Sequence, residues 1–247
     1  MGVELFTRGA NRITLTEAGK LLADAVDLGF SGIERAVEEL TVTAGTVVFA
    51  MPPGFAQQLV VPHLDSLQRA LGDRDLRLWL YDREGELISG TFDAAVRVGA
   101  APWPGLEASE LFAERVTPVA TPVLAERSGL GSHSDPAAVL AAPLLHMDAA
   151  DRPWMSWSDW LGAFGLALTP GRRRVEFNNY PTVLQQAVAG KGVALSWAGL
   201  TDDLVLSGVL EVVGPEVSSG RSYHVTWPMG RRTAAVDALV EWLESIL

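Results

Sequence analysis

Between Thr16 and about Val42, the apolar residues Ala18, Leu21, Leu22, Ala25, Val26, Ile33, Ala36, Val37 and Leu40 recur every three or four positions. The opposite face carries Asp24, Asp27, Glu34, Arg35, Glu38 and Glu39. That period predicts one long amphipathic helix. Thr16 offers a cap and Glu17 an acidic first turn, while Gly29 and Gly32 weaken the middle. Such a helix on its own exposes an apolar stripe, which asks for a partner helix. Upstream, Leu5-Phe6 and Ile13-Thr14-Leu15 flank the turn run Arg8-Gly9-Ala10-Asn11-Arg12, the pattern of a small hairpin.

After Thr43-Ala44-Gly45 the texture changes. Short apolar runs alternate with helical stretches: strand Thr46 to Met51, the turn Pro52-Pro53-Gly54, a helix from about Phe55 to Leu71, strand Leu76 to Tyr81, a short helix Glu84 to Ser89, and strand Ala94 to Val98. The alternation resumes at Val116 to Ala120, Ala137 to Leu140, Leu144 to Met147, Trp154 to Phe164, Val175 to Phe177, Tyr180 to Ala189 and Val193 to Trp197. A late strand, Ser222 to Trp227, precedes an amphipathic closing helix from Thr233 to Leu247. This order predicts an α/β chain with a mainly parallel sheet covered on both faces, arranged as two lobes about a cleft.

Composition narrows the function. The 247 residues include 19 Lys and Arg against 30 Asp and Glu, a formal charge of −11, which repels phosphate and argues against a nucleic-acid-binding surface throughout. With 48% hydrophobic residues and a mean hydropathy of +0.19 the chain is expected to fold around substantial cores. It has no Cys, and so no disulfide, thiolate zinc site, iron–sulfur cluster or cysteine nucleophile. No apolar run has membrane-spanning length, and the N-terminus lacks the layout of a secretory signal. A cytoplasmic location without membrane contact is the expectation.

The stretch GVELFTRGANRITLTEAGKLL resembles the wing and the start of the linker helix of LysR-type transcriptional regulators. Phe92 to Gly99, Trp103-Pro104-Gly105-Leu106, Pro118 to Pro122 and Ala187 to Leu195 are similar to the effector domain of the branch containing the glycine cleavage activator. EFNNYPTVLQQAVAGKGVALSW is also similar to family members that regulate choline sulfate use. The resemblance implies a wing remnant over residues 1–15, a linker or dimerisation helix over 16–43, and a type II periplasmic-binding-protein-like effector domain over 44–247. Lobe I would take about 44–117 and 220–247, and lobe II about 118–219. It further implies a homo-oligomer paired through Leu22, Val26, Ile33 and Val37, with Arg8 and Arg12 facing DNA in a full-length regulator. Relatives carry a recognition helix before the wing; without it, this chain alone is not expected to bind an operator specifically.

Several segments qualify as a ligand site. Pro53, Gly54, Phe55 and Ala56 enter a helix whose free N–H groups can hold a polar ligand, or form an ordinary strand-to-helix turn. Val98, at the end of the strand that closes at Gly99, and Ala100 and Trp103 just beyond it stand at what should be the cleft rim. Thr121 resembles a position that offers a hydroxyl to the effector, and is equally placed to cap the next helix. Asn178, Asn179 and Thr182 open a helix, as caps or as ligand donors. Of the eight Trp, Trp154, Trp157 and Trp160 with Phe164 run at helical spacing and read as packing. Trp103 and Trp197, with Tyr81, sit at strand ends and suit a cage for a quaternary ammonium, while an amino-acid-like effector fits the same polar donors.

Chemistry is poorly provided for. His63, His133, His146 and His224 lack zinc-site spacings, and there is no G-x-S-x-G, phosphate-binding or dinucleotide-binding motif. Asp202-Asp203 and Glu38-Glu39 read as solvated pairs, and Arg172-Arg173-Arg174 as an exposed turn. No catalysis, metal or cofactor is expected. The alternative to a regulator is a solute-binding module of the same lobed fold, for which a linker helix would have no use.

Overall fold

The computed structural model describes residues 3–8, 13–19, 21–23, 25–26, 45–83, 85, 87, 92–148, 154–168 and 176–247. Strands β1 (Phe6–Arg8) and β2 (Ile13–Leu15) form the expected antiparallel hairpin, Phe6 opposite Leu15. Residues 17–19, 21–23 and 25–26 are helical. The Thr16 hydroxyl accepts from the Gly19 N–H at 2.9 Å and donates to the Glu4 carbonyl at 2.8 Å, so the cap also ties the helix to the hairpin. A Cβ at Gly19 would sit 2.0 Å from the Leu5 carbonyl oxygen. Glycine is therefore required where helix and hairpin meet. Arg12, Ile33, Val37 and Arg172 to Arg174 lie outside the described residues, as does most of the expected helix over Glu84 to Ser89.

Strand β3 (Thr46–Met51) is buried except at its first residue. It leads into helix α1, which opens as Pro53–Phe55, passes through a wide turn at Ala56–Val60 and a tight turn at Val61–His63, and ends as a regular helix over Leu64–Leu71. The uninterrupted helix expected from the apolar spacing is thus broken in the middle. Pro62 is the reason: it has no N–H to donate and its ring crowds the preceding turn. Strand β4 (Asp75–Leu80) and strand β5 (Ala94–Gly99) both pair parallel with β3.

Beyond β5 the parallel expectation gives way. Strand β6 (Leu106–Ala120) is a fifteen-residue strand, of which only the last five residues were legible as apolar sequence. Strand β11 (Val217–Pro228) pairs antiparallel with both β5 and β6, so the main sheet is mixed. The first half of β6 meets β11 on one side, and β9 (Ala194–Trp197) and β10 (Glu211–Val212) pair only with its second half, so its early residues are polar and half-exposed like those of an edge strand. The two long strands β6 and β11 run through both lobes. The second lobe is built on β9, β10 and the end of β6, with the short parallel pair β7 (His146–Met147) and β8 (Glu176–Phe177) beside them.

Its helices are capped by side chains: α2 (Pro122–Ser128) by Thr121, α3 (Pro136–Ala141) by Asp135, α4 (Trp157–Gly162) by a reciprocal Ser156–Asp159 box, and α5 (Tyr180–Val188) by Asn179. Helix α6 (Asp202–Leu206) carries Asp202 and Asp203 in an exposed first turn. Trp157 and Trp160 are core residues, with their indole N–H groups on the Leu145 and Pro215 carbonyls. The closing helix α7 (Ala234–Ile246) packs on the last segment of α1, where Trp242 Nε1 donates to Ser66 Oγ at 2.9 Å. Among the described residues, no helix is long and apolar enough to cross a membrane.

The start of β6 and the end of β11 are clamped by Glu107, whose carboxylate accepts from the Gly230 N–H at 3.0 Å and Trp227 Nε1 at 3.1 Å. The Gly230 hydrogen bond first, then that from Trp227 and the charge of Arg232, hold this carboxyl below the usual glutamate range. A depressed folded value means the clamp stabilises fully above the unfolded glutamate pKa of about 4.3 and is lost as pH falls through the lower, folded value. Glu107→Gln should flatten that acid limb in urea melts below about pH 4.3; an unchanged limb would show that the clamp contributes nothing.

Candidate functional site

Two adjoining cavities open between and behind the lobes. The outer one is walled by Pro52, Pro53, Gly54, Phe55, Asp82, Val98 and Tyr223 from one side, and by Met147, Trp154, Tyr180, Trp197 and Leu200 from the other. The inner one reaches into the second lobe past His146, Asp148, Ser156, Ser158 and Glu176. Met147, Trp154, Tyr180 and Trp197 wall both, so they form a shared partition.

The partition is built by neighbouring elements. Tyr180 is the first residue of α5, is almost fully buried, and donates its hydroxyl to the Leu195 carbonyl at 3.3 Å. Burial raises its pKa far above the ordinary tyrosine range, so it is a neutral phenol throughout the physiological range. Its ring meets that of Trp197 edge to face at 4.9 Å. Trp197 ends β9, and its indole Nε1 donates to Glu114 Oε1 at 2.7 Å. Across the cleft, Gly54 presses on Tyr180: a Cβ there would stand 2.7 Å from the tyrosine Cδ1. Tyr223 lies between Phe55 and Phe112, and burial first, then the nearby Glu114 charge, push its hydroxyl upward.

Glu114 is fully buried in the middle of β6. Its second oxygen accepts from Ser219 Oγ and from Arg221 Nε, and pairs with the Arg221 guanidinium at 2.9 Å. Ser219 and Arg221 occupy the irregular stretch of β11 where the register against β6 shifts. The carboxylate therefore joins a cavity wall to the strands that link the lobes.

Several sequence candidates meet here: Pro53, Gly54, Phe55, Val98 and Trp197 all line the outer cavity. Others stand elsewhere. Ala56 is buried inside the wide turn of α1, and Ala100 is exposed on the loop after β5. Trp103 packs edge to face on His224, and its ring face is taken by the Arg97 guanidinium at 4.8 Å, so the cation that it holds is an internal one. Tyr81 is buried in a small cluster with Ala50, Leu87 and Ala95, its hydroxyl on the Val96 carbonyl. Thr121 accepts from the Leu124 N–H, and Asn179 accepts from the backbone and side chain of Thr182. Those three polar candidates serve as caps or capped residues and wall neither cavity, and Asn178 is exposed beside them.

Capping has a measurable consequence: Asn179→Ala should cost about 1 kcal/mol of stability. A melt with Tm unchanged, together with weakened ligand binding, would instead make Asn179 a ligand donor. The sequence reading missed Asp82, Met147, Tyr180, Leu200, Tyr223 and the cavity role of Trp154. Tyr180 carried a signal, since an aromatic ring following a helix cap at the mouth of a lobe is placed to face the opposite lobe.

Similarity to known proteins agrees with this architecture. Residues 40–246 match the LysR substrate binding domain family. The chain is 31% identical over its full length to the HTH-type transcriptional regulator TrpI of Pseudomonas aeruginosa, spanning 83% of that protein. It is also 31% identical over 79% of its length to the glycine cleavage system transcriptional activator of Escherichia coli K12, covering 63% of that relative. The effector domain of the transcriptional regulator AmpR of Pseudomonas aeruginosa is similar in structure, with a TM-score of 0.64 and 28% identity over 81% of this chain and 94% of that one. CrgA of Neisseria meningitidis, a LysR-type regulator, shares the fold over 99% of this chain and 84% of its own, with a TM-score of 0.65 at 16% identity.

Proposed function

Because the chain belongs to the LysR family of transcriptional regulators, we propose that it senses a small effector in the cleft and passes the resulting change of lobe arrangement to the rest of an oligomeric, DNA-binding regulator. The observation that carries this reading is the shared partition, four side chains that wall both cavities from the second lobe and face Gly54 and Phe55 of the first. A molecule held there touches both lobes at once. It shifts their equilibrium only by binding one arrangement more tightly than the other, so its effect is set by contacts made in one arrangement alone. We propose that the chain belongs to the branch of the glycine cleavage activator, on the segments Phe92 to Gly99 and Ala187 to Leu195.

A thermal-shift screen of metabolites tests the reading. A true effector at a hundred times its Kd should add about 2.7 kcal/mol of stability, and that gain should vanish in a variant whose cleft is obstructed at Gly54. Stabilisation that survives obstruction would place the site elsewhere.

Self-association is proposed through the helix after the hairpin. Leu21, Leu22 and Val26 are exposed there, at 75%, 37% and 43%, an apolar stripe suited to a second copy. Leu22→Glu combined with Val26→Glu should give a monomer by light scattering; a wild-type monomer would overturn the assignment. Arg8 and Arg12 are proposed to face DNA phosphate in the full assembly, on their charge and on the resemblance of this stretch of sequence to the family's wing.

A further inference from the structure

We propose that Glu114 is a positioning residue that ties the cleft wall to the point where the connecting strands flex, so that movement of Trp197 and rearrangement of a bulge in β11 are one coupled event. The coupling belongs to the strands themselves, and its regulatory meaning rests on the cleft being the effector site. Three observations meet at this residue. Glu114 is the first buried position of β6 after a first half that is exposed or half-exposed. Toward β11, Arg115 pairs with Ser218 and Ala113 with Ser222, which leaves Glu114 alone opposite Ser219, Gly220 and Arg221. Toward β9, Val116 pairs with Trp197, the last residue of that strand. The ladder is thus broken on one side of Glu114 and runs out beside it on the other. Extra residues in one strand leave backbone unpaired and bend and twist the strand locally, so this is where β6 and β11 give way most easily when the lobes move.

A side chain takes the place of the missing ladder. Ser219 Oγ and Arg221 Nε donate to one oxygen of Glu114, and Trp197 Nε1 donates to the other at 2.7 Å. Ser219 Oγ in turn accepts from the Arg221 N–H at 3.1 Å, so the shape of the bulge hangs on the same carboxylate. The two oxygens of a planar group cannot move independently. An indole has one donor and no acceptor. Any shift of Trp197 therefore carries the carboxylate with it or leaves a buried N–H unpaired, at a cost of about 1–3 kcal/mol. Either result changes what Ser219 and Arg221 meet. From the cleft mouth the contacts are continuous: Gly54 lies against Tyr180, and the Tyr180 ring lies edge to face on Trp197 at 4.9 Å. Tyr223, two residues past Arg221, also walls the outer cavity, so the bulge meets the cleft by a second route.

The test uses the purified full chain, isotope-labelled at tryptophan, and needs no ligand. The indole N–H resonance of Trp197 reports the cleft wall, and hydrogen exchange at the Arg221 amide reports the bulge. Coupling between two sites is reciprocal, so each end should respond to a change at the other. Ser219→Ala should move the Trp197 resonance and leave that of Trp242, which donates to Ser66 Oγ, in place. Gly54→Leu should speed exchange at Arg221 by at least about fivefold, the low end of typical coupling between sites. In Glu114→Gln, whose amide oxygen still accepts from Trp197, both cross-effects should disappear. A purely structural Glu114 predicts otherwise: the variant loses stability, yet each change is felt only at its own end, in wild type as in Glu114→Gln. A Trp197 resonance indifferent to Ser219→Ala overturns the proposal, as does either cross-effect persisting in Glu114→Gln, or Arg221 exchange unmoved by a Gly54→Leu that shifts the Trp197 resonance. Should Glu114→Gln not fold, the Ser219→Ala result decides, since among the described hydrogen bonds Ser219 reaches Trp197 only through this carboxylate. Metabolite stabilisation that survives Gly54→Leu would remove the cleft reading and leave the coupling standing.

Discussion

Glu114→Ala should lower the stability of the folded chain by about 3 kcal/mol, the low end of the range for removing one partner of a buried ion pair. The low end applies because Arg221 keeps about a third of its side chain exposed and can recover water. Trp197 Nε1 cannot recover, since it is buried and its acceptor is this carboxylate, whereas Ser219 Oγ, only partly buried, loses the same acceptor but can reach water. Each donor left unsatisfied inside the protein adds to the loss. Glu114→Gln separates the two parts. The amide oxygen can still accept from Trp197, while the amide nitrogen cannot accept from Ser219 or pair with Arg221, so this variant should fall between wild type and Glu114→Ala. Urea unfolding monitored by tryptophan fluorescence measures both. A loss under 1 kcal/mol for Glu114→Ala would show that water replaces the carboxylate and that the link between cavity wall and connecting strands is weak.

The position of Glu114 also shows where sequence legibility ends. In Ala113-Glu114-Arg115 it reads as a surface residue in a polar stretch, because its partners Trp197, Ser219 and Arg221 are 83, 105 and 107 positions away. Nothing local records that three donors converge on it. Continuous apolar runs did find β3, β5 and β9, which are buried on both faces, and helical periodicity found α4, α5 and α7, each of which buries one consistent face. It failed on the first half of β6, whose edge position leaves its residues half-wet, and on the broken middle of α1, where one proline outweighs a good apolar repeat. The parallel sheet was a failure of the same kind: β11 returns after the whole second lobe, and no short-range signal states on which side it pairs.

The candidate site divides along similar lines. Pro53, Gly54 and Phe55 were legible because a proline-glycine turn at the end of a buried strand is a local device for bringing backbone close to a ligand. Trp197 was legible as an aromatic ring at a strand end. Thr121 and Asn179 were legible only as residues able either to cap or to bind, and local hydrogen bonding took both as caps. The Trp103 face looked free in sequence because Arg97, six residues earlier on the neighbouring strand, gives no hint that its guanidinium folds over the ring.

Gly54→Leu should separate the lobes and weaken any cleft ligand by roughly five- to 150-fold, the equivalent of about 1–3 kcal/mol of overpacking. Even the first added carbon would come within 2.7 Å of Tyr180 Cδ1. Tyr180 has little room to yield, since its hydroxyl is bonded to the Leu195 carbonyl and its ring is set against Trp197. The strain is therefore relieved by the softer coordinate, the distance between the two lobes, which is bridged at this point by the start of α1 and α5. Moving them apart costs little of the core inside either lobe, so the unliganded Tm should fall less than the affinity does. Small-angle scattering should record a larger radius of gyration for Gly54→Leu than for wild type, and addition of effector should no longer reduce it. Unaltered scattering with unaltered affinity would mean that Tyr180 moves aside after all, and that the contact between Gly54 and its ring does not govern how the lobes approach.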